Sequence, residues 1–186
     1  MPRQGERRLF IMRELLVDTI PSPIGGVRVV TDGEFLRALD FADYEERLQR
    51  LLRRHYGDIH LTPTRDPLGA SSAVAAYFAG RLDALDSIPT ATRGTEFQRK
   101  LWRLLCEIPT GTTVTYGELA RRIGNPAATR AVGLANGSNP IAIAVPCHRV
   151  LGANGALTGY GGGLERKRWL LMHEGALAQA TTRRAS

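Results

Sequence analysis

TYGELARRIGNPAATRAVGLA, residues 115–135, has the pattern of two short helices joined by a tight turn. Thr115, followed three residues later by Glu118, is a capping box that predicts the start of the first helix. The Gly-Asn-Pro turn ends that helix, makes Asn125 the N-cap of the second and puts Pro126 at its first position. Two helices joined by a glycine-containing turn form the helix-turn-helix arrangement. The segment therefore predicts a helical domain around it, with DNA binding as one open function.

The second of these helices, expected from Pro126 to about Ala135, has few side chains that could contact base edges. Arg130 is its one long polar residue, whereas a major-groove reader needs several donors and acceptors. Small residues allow close approach to a minor groove, and one cation can fill the stack that a base has left. An alanine-rich packing helix with an exposed arginine is the alternative. The candidate DNA contacts are Arg130, Ala128, Thr129, Ala131 and Gly133.

A second informative stretch follows, in which the apolar, strand-like run Ile141–Val145 leads into Pro146-Cys147-His148-Arg149-Val150. A free cysteine directly after such a run is a candidate nucleophile, and an adjacent histidine is a candidate base. Neighbouring side chains of an extended segment point opposite ways, so contact between Cys147 and His148 needs a bend or a bridging water. Glu174 is placed to orient the imidazole, as the third group of a triad does. The remaining candidates are Asn139, Tyr160, Lys167 and a glycine-rich loop over 159–163.

Charge and composition exclude several classes of protein. The 186 residues contain no apolar run of about 18 residues, and no signal-peptide core follows the first arginines. Two cysteines are too few for a disulfide framework, so we expect a cytoplasmic protein with reduced thiols. The formal net charge is +7, and residues 93–176 carry 11 basic and 5 acidic side chains. This half is where a polyanion is expected to bind.

The first half contains the pattern of a small sheet followed by helices. Strands are expected over Leu15–Ile20, Val27–Thr31 and Phe35–Asp40, with turns at Gly25-Gly26 and Asp32-Gly33, which predicts an antiparallel meander. A helix with Asp43 as its N-cap is expected to run to Tyr56, and a second over Ala70–Leu82. Residues His60–Asp66 between them are predicted to be a loop. His55 and His60 have no neighbouring cysteine, so no metal site is expected.

These patterns together predict an α/β (α+β) fold with two domains. The first covers residues 1–92, with a linker from about residue 86, and the second covers residues 93–176. We expect the arm 1–14 and the tail 177–186 to be disordered. A capping box at Thr95 and Gln98 opens the second domain. Cys106, within the helix that follows, is expected to be a buried, unreactive residue.

The chain resembles a known family of proteins. PCHRV, residues 146–150, matches the active-site signature of the O6-alkylguanine-DNA alkyltransferases, also called methylated-DNA–protein-cysteine methyltransferases. Residues 93–175 follow that family's order and approximate spacing, and the first 92 resemble its N-terminal domain. The segments that match are Phe97–Trp102, Tyr116–Ala120, Gly124–Pro126, Arg130–Gly133, Asn139-Pro140 and Tyr160–Glu174. The resemblance implies a small antiparallel-sheet domain followed by a helix-turn-helix alkyltransferase domain.

The resemblance also implies a reaction. Cys147 would take the alkyl group from a guanine flipped out of duplex DNA, in one irreversible turnover that leaves a thioether. His148, acting through a water and helped by Glu174, would remove the thiol proton. Tyr116 and Lys167 would donate protons or hydrogen bonds to the leaving guanine, a role that typically accelerates a reaction ~10²–10⁴-fold. Neither a cofactor nor a metal is implied, because the damaged DNA is itself the alkyl donor.

The remaining implied roles concern structure and DNA. Asn139 would hold the turn beneath the site, and Arg130 and Tyr116 would contact the DNA. Val150, Tyr160 and Gly161 would line the base pocket. The family often has serine where this chain has Gly161, so only the backbone contact is carried over there. The implied partner is double-stranded DNA containing O6-alkylguanine, bound in its minor groove by a monomer, with cooperative binding left open.

Three other functions stay open from the sequence. A non-enzymatic relative that binds alkylated DNA would lack the reactive cysteine that this chain has at position 147. A helix-turn-helix transcription regulator would need a second helix richer in base-reading side chains. A cysteine hydrolase would need a pocket for an acyl substrate, of which the sequence gives no sign.

Overall fold

A four-stranded sheet organises the first half of the chain. The computed structural model describes residues 12–177, so the arm and the tail lie almost entirely outside the described residues. The strands are β1 (Arg13–Ile20), β2 (Val27–Thr31), β3 (Leu36–Phe41) and β4 (Ile59–Pro63), in the order β3-β2-β1-β4. The first three form the predicted antiparallel meander.

The fourth strand corrects the loop predicted over His60–Asp66. β4 pairs in parallel with β1, and Pro63 is its last residue, opposite Val17. Ile59 and Leu61 alternate with more polar residues and pack against the small core cluster beneath the first helix. Because β4 is an edge strand, a proline at its end interrupts no hydrogen-bond ladder beyond it.

Two helices cover opposite faces of this sheet. Helix α1 (Glu45–Tyr56) buries Leu48 and Leu52 in a cluster with Val30 of β2. Helix α2 (Ala70–Phe78), shorter than predicted, packs in the main core with Val29, on the other face of the same strand. Successive strand residues point to opposite faces, which is why two neighbouring valines serve two clusters.

The predicted cap of α1 is wrong. Tyr44 precedes the helix without a side-chain cap, and the carboxylate of Asp43 accepts a hydrogen bond from Nη2 of Arg166 at 2.8 Å. The aspartate therefore pairs with a cation from the far end of the chain. That distant partner left no signal in the local sequence pattern.

The second half is largely helical. Its elements are α3 (Glu96–Cys106), β5 (Val114–Thr115), α4 (Tyr116–Arg122), α5 (Thr129–Gly137), β6 (Val150–Leu151) and α6 (Leu164–His173). A 3₁₀ turn over Pro126–Ala128 precedes α5, and β5 pairs in parallel with β6. Within residues 12–177, no helix is both long enough and apolar enough to cross a membrane.

The caps of these helices agree largely with the sequence. Thr95 and Gln98 form the complete capping box, with distances of 3.2 and 2.9 Å. Thr115 accepts the N–H of Glu118 at 3.1 Å, but the Glu118 side chain pairs with Arg122 instead of closing the box. Asn125 accepts the N–H of the second residue after it at 3.2 Å.

Cys106 corrects a further prediction, because its side chain is exposed and not buried. Helix α3 buries Leu101, Trp102 and Leu105, and the next residue lies on its solvent side as the helix ends. The buried stripe of α3 belongs to the same core cluster as Val29 and Leu36 of the sheet. One hydrophobic core thus runs through both halves of the chain. The division into two domains stays a prediction.

Candidate active site

A buried turn, not a strand, leads into the cysteine. Ile141 makes a single bridge to Leu39, after which the run 141–145 folds back, with the N–H of Val145 donating to the carbonyl of Ile141 at 2.9 Å. Ile143 has a φ of 70°, a left-handed conformation that is uncommon outside glycine. The predicted strand-like run is therefore wrong beyond its first residue.

The Asn139 side chain holds this turn closed. Its Nδ2 donates to the carbonyls of Val145 at 2.8 Å and Ile141 at 3.3 Å, and its Oδ1 accepts the N–H of Ile141 at 3.0 Å. Asn139 is fully buried, so losing these bonds would leave polar groups without water. The Asn139 amide thus makes the hydrogen bonds to this backbone that a neighbouring strand would otherwise have made, in the turn that leads into the cysteine.

Cys147 begins a 3₁₀ turn, Cys147–Arg149, and is only 5% exposed. Nδ2 of Asn136 donates to its carbonyl at 3.3 Å. Burial raises the pKa of the Cys147 thiol, while a hydrogen bond from Asn139 and the nearby cations Arg47 and Lys167 act in the opposite direction. The resting thiol is therefore favoured in its protonated form, in surroundings that can receive a thiolate.

His148, directly after the cysteine, is completely buried and bonded to a carboxylate. Its Nε2 lies 2.9 Å from Oε1 of Glu174. Its Nδ1 is buried and makes no hydrogen bond within the described part of the chain. Burial lowers the pKa of His148, and the neighbouring carboxylate opposes this shift. With the proton on Nε2 facing Glu174, the Nδ1 lone pair is available as a base.

Glu174 is the centre of a larger network than the sequence predicted. Nε of Arg149 donates to Oε2 at 2.7 Å, and Nη2 of Arg149 donates to Oε1 at 3.0 Å. The hydroxyl of Tyr77, from α2, donates to Oε1 at 2.8 Å. Burial alone would raise the pKa of Glu174, but His148 and Arg149 outweigh it and hold that pKa well below its usual range. The carboxylate is therefore ionised and fixed in orientation.

Lys167, from α6, points its ammonium at backbone carbonyls. Nζ donates to Val150 at 2.5 Å, Thr158 at 2.6 Å and Gly159 at 3.3 Å, which uses all three of its hydrogens. Burial lowers the pKa of Lys167 to about 8. Lys167 therefore links strand β6 to the glycine-rich loop, like a clamp. The resemblance had instead implied that it donates to the substrate.

Tyr116 lies at the edge of the same loop. Its hydroxyl is 3.4 Å from the carbonyls of Thr158 and Gly159, and its ring centroid is 6.0 Å from Nζ of Lys167. Burial raises the pKa of Tyr116, with the neighbouring Cys147 adding to the shift. The phenol therefore stays protonated at neutral pH, as a proton donor must.

A narrow cavity of about 10 Å³, with room for no more than about one water molecule, lies beside Cys147. Tyr160 and Gly161, two of the three predicted pocket residues, line it, whereas the side chain of Val150 lies in the core. The other lining residues are Arg47, Asn136, Gly137, Ala142 and Gly162. Within residues 12–177, no group of three histidine, cysteine or acidic side chains is placed to hold a metal.

The predicted DNA contacts form one accessible surface on α5 and the turn before it. Thr129, Arg130 and Ala131 are exposed, while Ala128 and Gly133 are half-buried. Leu134, one turn beyond Arg130, is 78% exposed. The helix thus presents small residues, one guanidinium and one apolar side chain to solvent.

Comparison with known proteins gives this geometry its context. The family described as "6-O-methylguanine DNA methyltransferase, DNA binding domain" matches residues 96–176. The "methylated-DNA–protein-cysteine methyltransferase" of Shigella flexneri is 51% identical over 170 residues, covering 89% of this chain and 99% of that protein. The chain belongs to the methylated-DNA–protein-cysteine methyltransferase family. A Mycobacterium tuberculosis relative of the same name is 49% identical over 165 residues, covering 87% of this chain and 93% of its own.

Solved structures of this family have the same fold. A crystal structure of the M. tuberculosis O6-methylguanine methyltransferase has a TM-score of 0.72 and 44% identity, covering 87% of this chain and 93% of that one. Another, of the M. tuberculosis protein OGT in complex with DNA, has a TM-score of 0.72 and 45% identity over 88% and 93% of the two chains.

Three residues near this family member's candidate site were missed by the sequence reasoning. Arg149 belongs to the PCHRV motif. Its place next to His148, which was expected to pair with Glu174, is a signal from which an ion pair between Arg149 and Glu174 could have been predicted. Tyr77 lies within the helix predicted over Ala70–Leu82, where its sequence pattern indicates no catalytic role, and Arg47 has no motif around it. The bonds from Tyr77 to Glu174 and from Arg47 to Asn139 each join residues more than 90 positions apart.

Proposed function

We propose that this chain repairs alkylated DNA by direct reversal, moving the alkyl group from O6 of a guanine to Sγ of Cys147 in one irreversible turnover. The observation that carries the proposal is the buried cysteine in a bend, followed by a histidine whose Nε2 is fixed by an ionised carboxylate. Family membership gives the class of reaction, and this arrangement gives a route to the nucleophile.

The thiolate forms by proton transfer from Cys147 to His148. No direct bond joins the two side chains, so one water between Sγ and Nδ1 is the proposed carrier. Glu174 then stabilises the imidazolium, as the acidic member of a catalytic triad does. Burial raises the pKa of the thiol and lowers that of the imidazole. Both groups are therefore neutral before the alkylguanine binds, and the thiolate–imidazolium pair forms only during the reaction.

The alkyl carbon forms a bond to Sγ as its bond to O6 breaks, and the electron pair stays on the guanine. Tyr116 is the proposed donor of the proton that neutralises the guanine, and the proton on His148 restores the phenol. Overall, one thiol and one alkylguanine become one thioether and one guanine. A thioether neither ionises nor hydrolyses readily, so the protein is consumed.

The damaged base must leave the duplex to reach a cysteine that is 5% exposed. We propose that α5 binds the minor groove, where its small residues allow close approach and Arg130 fills the vacated stack. The excess of basic over acidic residues in 93–176 supports affinity for phosphates. Binding as a monomer, and a cytoplasmic location, stay predictions of the sequence.

The test is a duplex carrying one O6-methylguanine, incubated with the protein and with Cys147→Ala. The proposal expects the mass of one methyl group on the unchanged protein and none on the variant, at equal DNA affinity. Tight binding without a covalent product would favour a protein that only recognises alkylated DNA. Preferential binding of one undamaged sequence would favour a transcription regulator.

A further inference from the structure

A side chain from the first half of the chain forms one wall of the cavity beside Cys147. Arg47, on α1, forms an ion pair with Asp40 at the end of β3, whose carboxylate is 1% exposed. Its Nη2 also donates to the carbonyls of Gly137 and Asn139, both at 3.1 Å. The guanidinium is therefore held by three acceptors, two of them on the turn that precedes the cysteine segment.

Gly161 lies directly against this guanidinium. A Cβ added at position 161 would lie 2.7 Å from Cζ and Nη2 of Arg47 and 2.8 Å from Nε, and no other atoms are among its nearest contacts. The φ of Gly161 is not in the left-handed region. Backbone conformation therefore does not demand glycine here, and the three atoms nearest to an added Cβ all belong to Arg47.

We propose that Arg47 is a positioning and specificity-determining residue of the transfer reaction, paired with Gly161. It ties the 137–139 turn to the first half of the chain and limits the space available to the alkyl group. The role of Arg47 in transfer rests on the proposed function, whereas its contact with Gly161 rests on the structure alone.

The electrostatics of Arg47 fit this placement. Its charge is one of those that act to lower the pKa of Cys147, against the effect of burial. Burial raises the pKa of Asp40, and Arg47 opposes that shift. Removing Arg47 alone would leave a buried carboxylate unpaired, which is costly in itself. A useful variant must therefore neutralise Asp40 as well.

The experiment is a mutant cycle with Gly161→Ser and the double substitution Asp40→Asn/Arg47→Ala, each alone and both together. Single-turnover transfer is measured at saturating duplex DNA bearing either O6-methylguanine or O6-benzylguanine, and the DNA dissociation constant is measured separately. The melting temperature of each variant is recorded. Arg50→Ala, which removes an exposed arginine one turn further along α1, is the control for loss of an arginine from the same helix.

Gly161→Ser is expected to slow transfer about tenfold, in line with overpacking a filled site, and to lower the melting temperature. In the Asp40→Asn/Arg47→Ala background the same serine is expected to cost less than about twofold, because the wall is gone. That background should also raise the benzyl-to-methyl rate ratio about fivefold. Arg50→Ala should change neither the ratio nor the rate at saturating DNA.

Equal serine penalties in both backgrounds, in rate and in melting temperature, would overturn the pairing. An unchanged benzyl-to-methyl ratio would overturn the limit on alkyl size. If the unchanged protein transferred nothing, the proposed function would fail, yet the melting-temperature cycle would still decide whether Arg47 and Gly161 are coupled.

Discussion

Tyr77→Phe removes a single hydroxyl from the network around Glu174. That hydroxyl donates to Oε1 of Glu174 at 2.8 Å, and the tyrosine is 1% exposed, so water cannot replace it. Phenylalanine keeps the ring and its packing. A hydrogen bond to a charged group contributes about 1.5–3 kcal/mol, so the free energy of unfolding is expected to fall by that amount.

Urea unfolding at neutral pH measures this loss directly, with an unchanged m value if the unfolded state is unaffected. For a chain of this size, 2 kcal/mol corresponds to a drop in melting temperature of about 4–8 °C. Alkyl transfer should change far less, because Arg149 and His148 still hold the carboxylate. Tyr44→Phe is the control, because it also removes one phenol hydroxyl, from a half-buried tyrosine that packs against Arg166 and is not part of the Glu174 network. Equal stability of the two variants would refute the buried bond.

Three further variants test other parts of the site. The folded-state pKa of Glu174 is lowered, so its ionised form stabilises the fold above about pH 4.3, and that contribution is lost on acidification. Urea unfolding should therefore show that Glu174→Gln loses less stability than the unchanged protein as the pH falls below 5. Arg130→Ala should slow transfer from duplex DNA about tenfold or more but leave transfer from free O6-benzylguanine unchanged, because only the duplex must be unstacked. Lys167→Met leaves three carbonyls without their donor; it should lower the melting temperature and speed proteolysis within residues 152–163, and an unchanged cleavage rate would argue against the clamp.

Local chemistry explains what the sequence predicted well. Helix starts at Thr95, Thr115 and Asn125 depend on bonds between residues two or three apart, and all three caps are present. The meander depends on alternation and on two turns, and its strands lie within two residues of their predicted bounds. Such features are decided by neighbours that a reader of the sequence can see.

The errors arise where a particular side chain or a neighbouring strand outweighs the local pattern. Asp43 has the chemistry of a cap, but Arg166 takes its carboxylate. The run 141–145 has the composition of a strand, yet one amide at position 139 bends it into a turn. β4 becomes a strand because β1 offers it a free edge. The first and third of these contacts join residues far apart in the sequence, and the second is a side-chain bond within six residues that the composition of the run does not reveal.

The candidate site divides in the same way. Cys147, His148 and Glu174 were named from the sequence, and the structure brings the last two within 2.9 Å of each other. Arg47 and Tyr77 come from the first half of the chain, which had shown no catalytic pattern. Their placement depends on how the sheet and its helices pack against the second half, which no local motif encodes.

The most direct test of the account is the position and number of transferred alkyl groups. The protein is titrated with excess duplex DNA containing isotopically labelled O6-methylguanine, digested, and its two cysteine peptides are weighed. The expected result is one label per molecule, all on the peptide containing Cys147 and none on the exposed Cys106. Label on Cys106, label beyond one equivalent, or guanine released without any labelled peptide would contradict it.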